Sequence, residues 1–253
     1  MHLTRIELTN FKNYEEVSLD FSPRFNCFVG NNGVGKTNIL DAVHYLSLTK
    51  SFFNNSDTLS IRHGEDFFIL RGEFAKDGTE DELFCAFQKQ KPKVFKRNGK
   101  EYSKLSDHVG RYPVVMVSPA DSTLITEGSE ERRRFLNMII SQYDPVYLDA
   151  QMRYNKALLQ RNKVLKEGGY DSDSLLDLYD EQMITSSEII FEARRSLTEN
   201  MLPLFSSYYE KISRSAEEVN IRYTSHLGSS DFGVQLAASR DRDRNLQFTG
   251  LGV

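Results

Sequence analysis

The stretch that most constrains this chain is Gly30–Thr37, Gly-Asn-Asn-Gly-Val-Gly-Lys-Thr, which matches the phosphate-binding pattern G-x-x-x-x-G-K-[ST]. The four residues before it, Asn26–Val29, are mostly apolar and predict a short buried strand. The apolar spacing of Asn38–Thr49 predicts a helix packed against a sheet. A glycine-rich turn that fits the pattern by chance is the competing interpretation, and the flanking strand and helix disfavour it.

The motif predicts a specific chemistry for each part of the loop. Glycines allow successive backbone N–H groups to turn inward around phosphate oxygens, and the helix N-terminus adds a favourable dipole. Lys36 is expected to reach the β- and γ-phosphates, and the Thr37 hydroxyl to bind Mg²⁺. The predicted nucleotide-binding residues are therefore Gly30, Asn31, Asn32, Gly33, Val34, Gly35, Lys36 and Thr37.

Composition limits the class of protein. The chain has 253 residues, enough for one large domain or two modest ones, and 39% hydrophobic with 27% charged residues is typical of a soluble globular protein. No apolar run approaches the length of a membrane span, and the N-terminus lacks the apolar core of a signal peptide. We expect Cys27 and Cys85 to be buried free thiols, which suits a reducing compartment, and therefore expect a cytoplasmic protein without a membrane partner.

The first 118 residues predict a mixed α/β lobe that binds the nucleotide. Alternation predicts strands around the loop and an antiparallel meander after it, with Asn98-Gly99 as a hairpin turn. The predicted strands are Leu3–Phe11, Val17–Phe21, Asp66–Phe74, Glu82–Gln88, Val94–Arg97 and the buried Tyr112–Val117.

Residues 119–215 predict a helical lobe, and residues 216–253 a segment that returns toward the first lobe. Gly168-Gly169 is expected to separate two long helices, and Pro203 to start or kink another. Strand character reappears at Val219–Tyr223 and at Leu246–Thr249, the second of which we expect to head back to the first lobe.

Two basic clusters are candidates for nucleic-acid contact. One lies near the predicted hairpin and contains Lys89, Lys91, Lys93, Lys96, Arg97 and Lys100. It could bind DNA phosphates, or its lysines could guard an edge strand, and the sequence leaves both interpretations open. The other, Arg132–Arg134, follows two glutamates, and because consecutive helical residues point in different directions we favour a structural role.

A complete hydrolytic site is not evident in the sequence. A P-loop ATPase also needs a carboxylate at the end of a second apolar strand to help hold Mg²⁺. The best apolar strand, Val114–Val117, is followed by Ser118-Pro119 instead. The five histidines show no zinc spacing, and no covalent catalytic motif is present.

Several stretches together resemble the RecF family of bacterial DNA-repair proteins, relatives of the SMC-type ABC ATPases. Leu8–Tyr14 is similar to the family's N-F-R-N-Y opening, with Lys12 in place of the usual arginine. The helix start Asn38–Ala42 and the segment Lys50–Phe52 also match, although Phe53 stands where an arginine is usual. The segment Pro119–Asn137 resembles a family signature, with departures at Ala120, Glu127 and Ser129.

The resemblance implies a P-loop ABC-ATPase-type head, in which a mixed-sheet α/β lobe with an antiparallel meander joins a largely helical second lobe. It implies ATP and Mg²⁺ as cofactors, an ATP-clamped homodimer, and binding to double-stranded DNA and to junctions of double and single strands. It also implies work with RecR and RecO to load the recombinase RecA at gaps, in replication, repair and the SOS response.

The family's later motifs, its signature sequence and Walker B strand, are not found in this sequence. We therefore expect an N-terminal portion of a RecF-like protein, with negligible ATPase activity alone. An ATP-binding protein-interaction module with little DNA contact is the main alternative, and a P-loop enzyme acting on a small molecule is a third.

Overall fold

A six-stranded sheet and one long helix form the first of two compact units, Met1–Asp121, in the computed structural model of the chain. The second unit, Ser122–Val253, is helical. The structure describes residues 1–76, 78–168, 172–214, 218–228 and 231–253. Within these ranges no helix combines the length and the apolar character needed to cross a bilayer.

The sheet of the first unit is antiparallel at every pairing among the described residues. Its strands are β1 (His2–Phe11), β2 (Tyr14–Asp20), β3 (Phe67–Lys76), β4 (Thr79–Gln88), β5 (Val94–Arg97) and β6 (Lys100–Glu101). Their order in the sheet is β2-β1-β3-β4-β5-β6. The predicted meander and its turn at Asn98-Gly99 are confirmed, because β3, β4, β5 and β6 pair in succession.

Helix α1 (Lys36–Leu48) packs against β3 and β4 and closes the core of this unit. Alternate residues of the strands point inward, so that Leu8, Leu70 and Cys85 follow one another across the sheet and are fully buried. Tyr45 of α1 is also fully buried among them. Each of the two buried leucines contributes about 1.5–3 kcal/mol of burial free energy. The prediction of a buried thiol is confirmed for Cys85.

Three sequence predictions in this unit are wrong. Asn26–Val29 and Tyr112–Val117 are not strands, and Cys27 is exposed rather than buried. Val29 is 89% exposed, and Val115 and Val117 are each 82% exposed. An apolar run predicts burial, but a strand also needs a partner, and neither segment pairs with another strand in the described part of the chain.

The second unit contains α2 (Thr123–Thr126), α3 (Ser129–Ile140), α4 (Pro145–Glu167), α5 (Ser172–Ser213) and α6 (Phe232–Leu246). Asp144 caps α4 by accepting hydrogen bonds from the N–H groups of Val146 and Tyr147. Gly168, with φ of 64°, ends α4 as predicted, whereas Gly169 lies outside the described residues. Helix α5 runs through Pro203, so this proline does not start a new helix.

The core of the second unit lies mainly between α4 and α5, with α3 and α6 packed on them. Ile140, Tyr147, Met183 and Leu236 are fully buried there. The predicted strands Val219–Tyr223 and Leu246–Thr249 are wrong. Val219–Tyr223 keeps alternating burial without a pairing strand among the described residues, and α6 continues through Leu246.

The segment after α6 is hydrogen-bonded inside the second unit. Thr249 contacts Asn162, and the Gly250 N–H donates to Asp243. The predicted boundary at residue 216 falls at Ala216, outside the described residues. The predicted division into residues 1–118, 119–215 and 216–253 stays a prediction.

Candidate nucleotide-binding site

The predicted phosphate loop lies at the N-terminus of α1. Gly33 and Gly35 have φ of 85° and 106°, a region that residues with side chains rarely adopt. Gly33 also has no heavy atom within 4 Å of the position that a Cβ would take, so this side of the loop is open. Both glycines therefore give the loop its backbone path, and Gly33 leaves room for a ligand.

Lys36 is the first residue of α1, and its side chain folds back over the loop. Its Nζ donates to the carbonyls of Gly30 and Asn31, each at 2.8 Å. This places a positive charge beside the backbone N–H groups at the helix N-terminus, where the helix dipole already favours an anion.

The loop and the start of α1 surround a cavity of about 260 Å³. Its lining residues are Asn32, Gly33, Gly35, Lys36, Thr37 and Asn38. The wall is therefore built of backbone amides, one ammonium group and short polar side chains, a donor set that suits phosphate oxygens. Thr37 is exposed and presents a hydroxyl of the type that binds Mg²⁺. Five of the eight predicted residues thus line one cavity, whereas Gly30, Asn31 and Val34 are not among its lining residues. The groups present fit a nucleotide phosphate chain.

The turn between β1 and β2 packs against this loop, which sequence reasoning missed. The Asn13 side chain donates to the Val34 carbonyl at 3.1 Å and accepts a bond from the Asn38 amide at 2.7 Å. A Cβ on Gly35 would lie 2.7 Å from Asn13 and 2.8 Å from the Tyr14 hydroxyl. Asn13 and Tyr14 belong to the N-F-x-N-Y stretch, but no local spacing links that stretch to a loop about twenty residues later.

A buried carboxylate one turn into α1 joins this turn to the segment after the helix. Asp41 is fully buried and forms an ion pair with Lys12 at 2.6 Å. It also accepts hydrogen bonds from the Ser51 hydroxyl at 2.7 Å and the Phe52 N–H at 2.6 Å. Because its two oxygens are engaged in this way, Asp41 fixes both neighbouring segments against α1.

Three members of the basic cluster near the hairpin are held by contacts within the unit. Lys93 donates to the Tyr45 hydroxyl, the Thr49 carbonyl and Asp57 at 2.7–3.0 Å, and only 13% of its side chain is exposed. Lys89 binds Asp66 at 2.9 Å. Arg97 binds Asp81 through two nitrogens, at 3.1 and 2.9 Å.

The other three members face outward. Lys91 and Lys100 are exposed, and Lys96 is half-buried with its ammonium 5.8 Å from the centre of the Phe84 ring. The cluster is thus split between side chains with structural contacts and side chains that a ligand can reach.

The arginines at the start of α3 contact nearby groups of the same unit. Arg132 donates to the carbonyls of Leu124 and Glu127, each at 3.0 Å, and Arg133 donates to the Ser129 hydroxyl at 2.7 Å. The bonds of Arg132 join α2 to α3, in agreement with a structural role.

Comparison with known proteins gives consistent matches. Residues 1–224 match the family model described as AAA ATPase domain. The chain is 48% identical over its whole length to the DNA replication and repair protein RecF of Parabacteroides distasonis, of which it covers 69%. It is 47% identical, again over its whole length, to the RecF of Bacteroides fragilis strain YCH46, of which it also covers 69%.

Two solved structures of the recombination mediator protein RecF of the RecFOR pathway have the same fold. The RecF–ATPrS structure superposes on 99% of this chain with a TM-score of 0.89, at 28% identity and with 71% of that chain covered. The RecF–ATP structure gives a TM-score of 0.87 at 27% identity, covering 99% of this chain and 70% of the other.

Proposed function

Because the chain belongs to the RecF family, a family of DNA replication and repair ATPases, we propose that it binds DNA in an ATP-dependent manner during recombinational repair. The observation that carries the proposal is the loop Gly30–Thr37, whose glycine backbone and Lys36 ammonium line one open cavity. A RecF–ATP structure has the same fold as this chain. The loop is the part of the chain suited to the phosphates of ATP.

The proposed role of the nucleotide is that of a switch. Mg²⁺ would be held by Thr37 and by phosphate oxygens, and would neutralise charge on the phosphate chain. Lys36 would exchange its bonds to the carbonyls of Gly30 and Asn31 for bonds to phosphate oxygens, which a cation favours more strongly. Two chains clamped together by ATP would then hold the DNA until the nucleotide is hydrolysed or released.

The proposed DNA targets are double-stranded DNA and its junctions with single strands. Lys91, Lys96 and Lys100 are the members of the predicted set whose ammonium groups remain available, and they are suited to backbone phosphates. The proposed protein partners are RecR and RecO, and the proposed outcome is loading of the recombinase at gaps. The proposed location of the protein is the cytoplasm.

A salt titration tests this function. Fluorescence anisotropy of a labelled junction is measured with the purified protein at salt concentrations of roughly 50–200 mM, with and without Mg²⁺-ATP. We expect tighter binding with ATP, and an affinity that falls steeply as salt rises, because each neutralised phosphate releases a counterion. A DNA affinity that changes with neither ATP nor salt concentration would contradict the proposal.

The second candidate is an ATP-binding module that contacts protein partners and touches DNA little. The net charge of −4 and the internal ion pairs of Lys89, Lys93 and Arg97 favour it. ATP-dependent binding to RecR or RecO in the absence of any DNA affinity would identify this alternative.

A further inference from the structure

Two backbone hydrogen bonds fix the chain immediately before Asn13, at the end of β1. The Lys12 N–H donates to the Ser60 carbonyl at 2.8 Å, and the Arg62 N–H donates to the Asn10 carbonyl at 2.9 Å. Asn10 and Lys12 have φ of 50° and 54°, which bends the chain sharply between β1 and β2. Asn13 is therefore presented from a rigid platform rather than from a free loop.

The Asn13 amide uses both of its polar atoms to span the motif. Its Nδ2 holds the carbonyl of Val34, inside the phosphate loop, and its Oδ1 holds the side chain of Asn38, in the first turn of α1. Gly35, Lys36 and Thr37 lie between these two anchor points. The same side chain thus fixes the loop to the helix on either side of these three residues, each of which lines the cavity.

The bond to Val34 has a direct consequence for the ligand. The peptide unit between Val34 and Gly35 is planar, so its carbonyl and its N–H point in opposite directions and rotate together. A hydrogen bond that fixes the carbonyl therefore also fixes the direction of the Gly35 N–H. Gly35 has no side chain and φ of 106°, so its own conformational preference restrains this plane little.

We propose that Asn13 is a positioning residue for the nucleotide phosphates, acting through the Val34–Gly35 peptide and Asn38 without touching the nucleotide itself. The inference rests on the proposed nucleotide-binding role of the loop. It assigns part of the phosphate site to a turn that lies about twenty residues before the motif.

A positioning role and a structural role predict different results. Asn13 and its two hydrogen bonds are exposed to solvent, so their loss costs the folded chain little. If Asn13 has a positioning role, its removal weakens ATP binding, because part of the binding energy is then used to order the loop. ATP affinity should therefore fall while the melting temperature of the ligand-free protein stays nearly constant.

The test compares Asn13→Ala, Asn38→Ala and the double variant, with ATP binding measured by titration calorimetry and unfolding by thermal melting without ligand. We expect Asn13→Ala to weaken ATP binding about tenfold, and the double variant to lose less than the product of the two single losses. Asn13→Asp should bind more weakly still, because its carboxylate would face the Val34 carbonyl and lie near the phosphates. Asn54→Ala, which removes a 3.5 Å bond to the Leu59 carbonyl in the same unit, is the matched control.

Unchanged ATP affinity in Asn13→Ala would overturn the inference. So would a fall in affinity matched by a fall in the ligand-free melting temperature, or independent effects in the double variant. These outcomes differ from failure of the proposed function, which would appear as absent ATP binding in the unsubstituted protein.

Discussion

Asp81 is a residue on which four hydrogen bonds of the first unit converge. It accepts two from Arg97, one from Asn98 at 2.8 Å and one from the Tyr112 hydroxyl at 2.7 Å. The Arg97 hydrogen bond, with help from those of Tyr112 and Asn98, lowers the pKa of the Asp81 carboxyl to about 2 against the opposing effect of its burial. The charged form of Asp81 therefore stabilises the fold.

We predict a pH-dependent loss of stability for Asp81→Asn. A folded pKa of about 2 against about 4 in the unfolded chain corresponds to a contribution of about 1–2 kcal/mol, once screening at the partly exposed Arg97 is allowed for. Because the folded pKa is the lower one, this contribution is complete above about pH 4 and disappears as the pH falls toward about 2. Urea unfolding from roughly pH 2 to pH 7 should show the variant and the unsubstituted protein converging in stability at the acid end of this range.

The control for this prediction is Asp66→Asn. Asp66 forms an ion pair with Lys89, but 77% of its side chain is exposed, so the change should cost less than about 0.5 kcal/mol. Equal losses in the two variants, or a difference that is independent of pH, would contradict the role given to Asp81.

We also predict that Lys36→Ala weakens ATP binding by roughly 10- to 100-fold, because charge-assisted hydrogen bonds to the phosphates are lost. Lys76→Ala, an exposed lysine at the far end of β3, should bind ATP normally. Calorimetric titration of the two variants compares them directly, and equal affinities would refute the assignment of Lys36.

At the level of single residues, the sequence predicts side chains whose role follows from neighbours along the chain. Lys36 and Thr37 are identified by a pattern of eight consecutive positions. Asn13 and Asp81 are not identifiable in this way, because their partners lie 16–31 residues away and depend on how the turn and the strands pack. Lys93 illustrates the same limit, since only the packing of α1 shows that its ammonium is enclosed.

At the level of elements, the periodicity of apolar residues predicts whether a segment is buried on one side, but it does not predict which strand the segment pairs with. The meander is predictable because β3, β4 and β5 are consecutive and joined by short turns. Val219–Tyr223 has the alternating burial of a strand, and Tyr112–Val117 has the composition of one, yet neither pairs within the described residues. Pairing between distant segments is a non-local property, which a local pattern cannot contain.

The lysines in and just before the hairpin formed by β5 and β6 are predicted to contribute to DNA affinity. Substituting Lys91, Lys96 and Lys100 together with glutamine should lower affinity for double-stranded DNA. It should also reduce the slope of log K against log salt, by about 0.9 for each DNA phosphate that the protein no longer neutralises. Anisotropy titrations at several salt concentrations measure both quantities.

The matched control is Lys76→Gln. Because Lys76 pairs with Thr79 at the start of β4, it lies at the opposite end of the β3–β4 pair from Lys89, which begins the basic cluster. It should leave the salt slope unchanged. If the triple variant also keeps the slope, the lysines serve to protect the edge strand β6 instead.

At the level of the whole chain, buried charged groups hold distant segments together within each unit. In the second unit these groups form a buried ion cluster around Arg161. Arg161 of α4 is fully buried and binds Asp180 of α5 at 2.6 Å and Asp243 of α6 at 2.8 Å. The same guanidinium donates to Thr249, and Arg240 also binds Asp180. One arginine thereby connects three helices and the segment after α6, a role that the helical pattern of α4 alone does not reveal.

We predict that Arg161→Leu destabilises the second unit by about 3–5 kcal/mol. The substitution leaves the buried Asp243 with hydrogen bonds from the Ser239 hydroxyl and the Gly250 N–H, which do not balance its charge. The nearest remaining cation is the mostly exposed Arg242, whose guanidinium lies 4.0 Å from the carboxylate. Urea unfolding followed by helical circular dichroism measures the loss.

The matched control is Arg153→Leu on the exposed face of the same helix. It breaks an ion pair with Asp149 whose two side chains are largely exposed, so it should cost no more than about 1 kcal/mol. A loss in Arg161→Leu no larger than this would show that the cluster contributes nothing beyond an exposed pair.

A second substitution separates lost charge balance from lost packing. If the cost of Arg161→Leu comes from the uncompensated carboxylate, then adding Asp243→Asn should restore part of the stability, because the amide removes the charge and can still hydrogen-bond its neighbours. If the cost comes from a poor fit of leucine in the cavity left by the guanidinium, the double variant will be no more stable than the single one.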